Sequence, residues 1–490
     1  MNWFHARILC VLAVWVMVFP AAGAATRQQE LDRLVTKYHQ LRQFHGTVLV
    51  ADEKGVIHKK GYGFANIEWR VPNTPDTKFR LGSITKQFTA MVIMQLVAEG
   101  RLKLDDTLTT HLPDYRKDTG DRVTIAQLLN HTSGIPSYTS LPGFFENESR
   151  TPFTVADFVK KFCSGDLNFE PGTKYAYNNS GYFLLGAIIE KVTGKTYAQA
   201  LQERIFDPVG MKSSGYDVSA TVLPKRASGY EFQLDGYANA AYLDMGIPYA
   251  AGSLYSTVED LYLWDRALHG DKLLPAPLKL RMFTPGLNNY AFGWAARPLK
   301  LHDGQTELAN LSHGGGINGF VTLIIRVPER KLLVVLLDNA SSGGKLSELA
   351  AGLLSILHGI PPQQPLPSVG AVVWSTLDKT SVTEAIARYR VLKATKSEEY
   401  DFSEEQLMGV GYRLLRAGRL ADAIEIFKLN VETFPSSGSS HDSLGEAYLA
   451  SGDKQQALLS YRKVLELLPG NEHAQERVKR LEQPPVKGQR

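Results

Sequence analysis

Two cysteines are all that 490 residues provide. Cys10 lies inside an N-terminal apolar run, so the rest of the chain keeps Cys163 alone, and one thiol closes no internal disulfide. A disulfide-stapled scaffold is excluded, and any case for export rests on a leader segment rather than on cysteine usage. An excess of one charge is also missing. Lys plus Arg number 54 against 50 Asp plus Glu, a net of +4, and no basic run is dense enough to track a phosphate backbone. This balance argues against nucleic acid as a partner. No acids or histidines fall at metal-ligand spacing, so neither a metal nor a cofactor is expected.

The chain does hold a leader. Arg7 precedes an apolar run from Ile8 to Phe19, followed by Pro20 and the small residues "AAGAA", with Ala22-Gly23-Ala24 as a cleavage pattern. Residues 1–24 therefore read as a signal peptide and the mature chain as exported, periplasmic or secreted. The competing reading is an uncleaved inner-membrane anchor, since the 18 residues from Ile8 to Ala25 approach the length of a span.

Length points to two or three domains. "GTVLVADEKGVIHKKGYGFAN" (46–66) reads as a hairpin, and "GFVTLIIRVPERKLLVVLLDN" (319–339) as a second one, followed by an amphipathic helix over 345–359. Helical patterns such as 124–130, 181–194 and 257–270 lie between them. The expected fold is mixed α/β (α+β), an antiparallel sheet that closes late, using both ends of this region, flanked by helices with a helical insertion. "GIPPQQPLPS" (359–368) carries four prolines and opens a linker read over 359–380. Beyond it, Gly418 and Gly452, Ala423 and Ala457, Phe427 and Tyr461, and Pro435 and Pro469 repeat with a period of 34, which looks like tetratricopeptide repeats. Helical capping is expected at 381–396 and 472–482, giving an all-α repeat domain over 381–484.

The chemistry starts at "RLGSITKQFT" (80–89). On a helix from 83 to 99, Ser83 and Lys86 share one face. The helix is apolar almost all round, so it is central, and desolvation pushes the lysine toward its neutral amine. A neutral amine one turn from a hydroxyl is a base beside a nucleophile. Alone, the pattern fits equally an N-cap serine and a snorkelling lysine. Two further stretches narrow the choice. "YAYNNSGYFLLG" (175–186) sets Tyr177 and Asn179 just before a helix. "LSHGGGINGF" (311–320) sets His313 and a glycine run before an apolar strand, where backbone can approach closely.

In that order, S-x-x-K, Y-x-N and H-x-G resemble the serine β-lactamase and penicillin-binding protein superfamily, in its class C, D-alanyl-D-alanine carboxypeptidase and esterase branch. "LLNHTSGIPSY", "AAGSLYSTVEDLYLW" and "YAFGWA" support the resemblance, which spans about residues 30–358. It implies a β-lactamase/transpeptidase-like serine hydrolase domain over 25–358. It also implies catalytic roles for Ser83 as the acylated nucleophile, Lys86 as its activator, and Tyr177 as a proton carrier that serves deacylation. Asn179 would hold Lys86 and the substrate amide. His313 would open the third motif, Gly315 would keep that strand open to substrate, and Gly316 would share an oxyanion hole with Ser83. Many β-lactamases carry lysine at the position of His313, so the histidine disfavours β-lactam or free-carboxylate recognition. The expected function is an exported serine hydrolase acting on an ester or amide of a small molecule or peptide. The alternative is a binding or assembly protein whose repeats take a protein partner, with the hydrolase fold as scaffold. His131 reads as a structural turn residue, Cys163 as a small core residue, and the aromatics of 229–244 either line the cleft or merely pack.

Overall fold

A computed structural model describes residues 26–341 and 345–483; the expected signal peptide at 1–24 lies outside the described residues. Apart from short bridging strands, seven strands carry the fold: β1 (Gly46–Asp52), β2 (Gly55–Gly61), β3 (Tyr230–Gln233), β4 (Gly236–Asn239), β5 (Leu311–Ile317), β6 (Phe320–Val327) and β7 (Leu332–Asp338). Five of them form one antiparallel sheet in the order β5-β6-β7-β1-β2, in which β1 pairs with β7 through Val48↔Leu336 and Val50↔Val334. The two terminal hairpins thus close a single sheet, and β3–β4 stands apart as a two-stranded ribbon.

Alternation along these strands feeds two cores. Val48, Val50, Val334, Leu336 and Ile325 pack on helices α1 (Arg27–Gln40) and, at the far end of the domain, Leu346–Leu357. The intervening Leu49, Ala51, Val335, Leu337 and Ile324 pack on the larger helical layer. That layer contains α2 (Thr85–Ala98), α3 (Asn179–Thr193) and α4 (Val258–His269); the Leu346–Leu357 helix is α5. Both sheet faces are covered, which explains why β6 and β7 read as nearly continuous apolar runs. From Ile84 to Met94 every residue is buried, so α2 is the central helix its sequence calls for.

One ion pair lies inside this packing. Arg326 on β6 donates from Nε to Asp265 Oδ1 on α4 at 2.8 Å, and both side chains are buried. Removing the carboxylate alone leaves a guanidinium without compensation. Asp265→Ala is expected to cost about 3–5 kcal/mol, read as a lower urea midpoint at unchanged m-value, with Asp265→Ala/Arg326→Met recovering most of it. Equal losses in the single and double variants would refute this account.

Seven helices follow: α6 (Val369–Lys379), α7 (Val382–Thr395), α8 (Glu404–Arg416), α9 (Leu420–Thr433), α10 (Gly438–Ser451), α11 (Lys454–Leu467) and α12 (Glu472–Glu482). The proline-rich stretch ends sooner than its sequence suggests. Ser368 caps α6 by accepting from the Ala371 N–H, and Val373, Trp374 and Leu377 join the core of the helical unit, so residues 369–379 are not linker. Pro367 is the last proline there, and the apolar "VGAVVW" that follows favours a packed helix. Within the unit, Gly418 and Gly452 close helices with positive φ, while Ala423, Ala457, Phe427 and Tyr461 are fully buried. Gly411 and Gly445 are a further matched pair: a Cβ on either would meet the ring of Phe427 at 2.5 Å or of Tyr461 at 3.0 Å.

Candidate active site

The segment 80–89 enters the core through a tight turn before it becomes α2. Gly82 sits at φ +54, a left-handed conformation that favours glycine, and Gly82–Ile84 form a single 3-10 turn. Ser83 therefore rides on a turn, not on the α-helix expected from residue 83, yet it stays one turn from Lys86. Lys86 Nζ lies 3.1 Å from Ser83 Oγ, 2.8 Å from Asn179 Oδ1 and 2.9 Å from the Ala251 carbonyl. Its side chain is buried, and desolvation pushes its pKa well below the usual lysine value. A neutral amine has two N–H groups and one lone pair. In that form, with Asn179 and Ala251 accepting the two protons, the lone pair faces Ser83 Oγ; as an ammonium the same group donates to all three.

Asn179 is the first residue of α3, not part of the loop before it. The neighbouring Asn178 caps that helix by accepting from the Gly181 N–H at 2.9 Å. The Asn179 N–H donates to Ser137 Oγ and its Nδ2 donates to Thr139 Oγ1, each at 3.1 Å, so its oxygen is aimed at Lys86. Tyr177 lies beside them. Lys86 Nζ is 4.8 Å from the centroid of its ring. The residue is 39% exposed, yet desolvation raises its pKa well above the ordinary phenol, with Ser83 hydrogen bonding pulling the other way. Tyr177 thus stays protonated near neutral pH.

His313 is placed differently from its sequence reading. It lies within edge strand β5 and not ahead of a strand, and it does not line the cleft around Ser83. Its Nε2 accepts from the Tyr290 hydroxyl at 2.9 Å, and its Nδ1 donates to the Gly314 carbonyl at 2.6 Å. Both nitrogens are engaged inside the protein. Burial, aided by Lys86, pushes its pKa down to about 3, so it is a neutral support behind Tyr177 and offers no cation to substrate. Gly315 is also reassigned. A Cβ there would meet the Leu81 carbonyl at 1.9 Å and Thr322 Oγ1 at 2.3 Å. It keeps β5 pressed against the chain at Leu81, just before the Gly82–Ile84 turn, and the face left open to the cleft belongs to Gly316. The Gly316 nitrogen would lie 2.9 Å from a Cβ on Gly82, next to Ser83.

The cleft holds about 560 Å³ and is lined by Ser83, Asn179 and Gly316 with Tyr138, Phe145 and Phe320 among its walls. Glu231 and Phe232, from the aromatic segment 229–244, line it too, so part of that segment faces the cleft. Of the lining residues, Glu231 is the one with a charged side chain. His131 is a turn residue at φ 63 whose Nδ1 accepts from the Asn178 N–H at 3.1 Å. Cys163 is fully buried, and burial pushes its thiol up to about 12. Three participants escaped the sequence reading: Tyr290, the Ala251 carbonyl and Thr139. Each lies in a quoted or adjoining stretch, but their contacts bridge distant parts of the chain and leave no local pattern.

The sequence profile described as Beta-lactamase matches residues 31–356, well over half of the chain. The chain belongs to the beta-lactamase family. Penicillin-binding protein 4* of Bacillus subtilis (strain 168) is 30% identical over 367 residues, 69% of this chain and 78% of that protein. The crystal structure of a penicillin binding protein from Bacillus halodurans superposes with a TM-score of 0.57 at 27% identity, covering 66% of this chain and 98% of the other. D-amino acid amidase from Ochrobactrum anthropi SV3, solved with L-phenylalanine amide, gives a TM-score of 0.57 at 26% identity over 68% of this chain and 97% of its own. This beta-lactamase-family chain is thus similar both to penicillin-binding proteins and to an amidase. Among its described residues no group of three or more His, Cys, Asp or Glu is placed to hold a metal ion, and no helix is long and apolar enough to cross a membrane.

Proposed function

We propose that this protein is an exported serine hydrolase that forms an acyl-enzyme on Ser83 and cleaves an ester or an amide. The observation that carries the reading is Lys86, buried, with its Nζ 3.1 Å from Ser83 Oγ, 2.8 Å from Asn179 Oδ1 and 2.9 Å from the Ala251 carbonyl. Lys86 would take the Ser83 proton as the hydroxyl attacks the carbonyl carbon. The tetrahedral oxyanion would form between the Ser83 and Gly316 N–H groups. As the bond from the acyl carbon to the leaving group breaks, Tyr177 would pass its proton to that group and recover one from the Lys86 ammonium beside it. Water would then attack the acyl carbon, giving its proton to Lys86, and the returned proton would restore the Ser83 hydroxyl as the acid leaves.

Charge narrows the substrate. Among the described residues no lysine or arginine lines the cleft, and the one lining charge is Glu231. That supports esters and amides without a carboxylate beside the scissile bond, including amides of D-amino acids, over penicillins. The leader at 1–24 supports export, and the proposed division places the hydrolase unit up to 358 and a tetratricopeptide-like unit after the proline-rich stretch. The test is intact-mass analysis after exposure to a nitrophenyl ester, a D-amino-acid amide and a penicillin. The expected result is turnover of the ester or amide through a transient adduct on the Ser83 peptide, with no lasting penicillin adduct. A durable penicillin adduct would overturn the substrate assignment, and no turnover of any of the three would overturn the enzyme reading.

A further inference from the structure

The wall of the cleft that carries Glu231 and Phe232 is the ribbon β3–β4, which belongs to no larger sheet. A two-stranded ribbon is marginal by itself in water, so its shape depends on what holds it. Its base is tied to the hydrolase unit: the Tyr230 N–H donates to the Asn339 carbonyl, and Asn318 Nδ2 donates to the Ala241 carbonyl at 2.9 Å. Its tip is held from two sides. Arg42 donates from Nη2 to the Gln233 carbonyl at 2.7 Å and lies over the rings of Phe232 and Tyr237 at 4.9 and 5.0 Å.

The second hold comes from the helical unit. Arg413 on α8 lies over the Trp374 ring, its Cζ 4.1 Å from the centroid, a contact that helps hold the guanidinium in place. From there its Nη2 donates to Asp235 Oδ2 at 2.6 Å and its Nη1 to Gln233 Oε1 at 3.3 Å. Leu234, between these two residues, packs against the apolar core of the helical unit. The tip of the ribbon is therefore seated in the helical unit, while two residues back along β3 the same ribbon faces the substrate.

We propose that the C-terminal helical unit is part of the specificity apparatus of the hydrolase: Arg413 is a positioning residue that sets the β3–β4 wall and so selects among acyl groups. The proposal rests on the reading of Ser83 as a nucleophile. On this proposal a small acyl group depends little on this wall, whereas an aryl acyl group packs against Phe232, which lines the same cleft as Tyr138, Phe145 and Phe320.

The experiment compares nitrophenyl acetate with nitrophenyl phenylacetate on the full-length protein and on Arg413→Ala, Arg413→Lys and Asp235→Asn. Arg413→Ala is expected to raise KM for the aryl ester about tenfold with kcat within about twofold, and to leave the acetate unchanged. Asp235→Asn, a change on an exposed turn that does not threaten folding, is expected to act in the same direction and to add little to Arg413→Ala. Arg413→Lys, which keeps the charge but loses the guanidinium contact with Trp374 and its two-pronged hold on the ribbon, is expected to fall between. Equal losses on both esters, or no change on either, would overturn the proposal while leaving Ser83 a live nucleophile. A wild type indistinguishable from Ser83→Ala would instead overturn the underlying reading and this one with it.

Discussion

Ser83→Ala is expected to lower ester turnover by at least about 10⁴-fold while leaving the protein folded. The hydroxyl is the one group within 3.1 Å of the Lys86 lone pair that can become a nucleophile. Alanine preserves the turn at 82–84, and Lys86 keeps its contacts with Asn179 and the Ala251 carbonyl, so stability should change by no more than about 1 kcal/mol. Steady-state hydrolysis, intact mass and urea unfolding on the same preparation separate the two effects. The wild type should show the acyl adduct and the variant none. A residual rate within about tenfold of wild type would mean that water attacks directly or that another hydroxyl in the cleft reacts, and the acyl-enzyme would have to be abandoned.

What could be read before the fold was known follows from the range of each interaction. Ser83 and Lys86 are three residues apart on one short segment, so spacing and burial alone expose their relation. The sheet was legible for a similar reason, because β1, β6 and β7 are apolar runs bounded by turns, and a sheet needs partners for both terminal hairpins. Asn179 was found by pattern, though its place at the start of α3 was not, since neighbouring Asn178 is an equally good cap. His313 shows the limit. Its position in the chain fits a substrate-facing group, but the register that puts it opposite Ile324 on β6 turns its ring toward Tyr290 and away from the cleft. Gly315 is the same lesson in backbone form: its closeness to Leu81 joins residues more than two hundred positions apart, and the two leave no shared local pattern. The ribbon tip at 233–236 was invisible as a junction for that reason too, its partner Arg413 lying in a different unit.

Lys86→Met tests the base, and its expected effect is a loss of about 10² to 10⁴-fold in kcat/KM together with loss of the acid limb of the pH profile. Desolvation lowers the Lys86 pKa well below the ordinary lysine value, which favours the amine form that the proposed proton transfer from Ser83 requires. As pH falls through its folded-state pKa the amine protonates, the lone pair disappears and wild-type activity falls. His313, held near 3, adds no second limb around neutral pH, and Tyr177 stays protonated there. Lys86→Arg should be as inactive as methionine, because a guanidinium does not give up its proton. Stability gives an independent reading with its own sign. A lysine whose folded pKa lies below its unfolded value binds more protons when unfolded, so wild-type stability rises with pH between the two, by at most about 1.4 kcal/mol per unit. Methionine carries no proton in either state and removes that slope. Urea unfolding of both proteins from about pH 6 to about pH 9 should therefore show the wild type gaining on Lys86→Met as pH rises. Parallel stability curves, with the acid limb of activity retained in the variant, would show that Lys86 remains an ammonium in the folded protein and that the serine proton goes elsewhere.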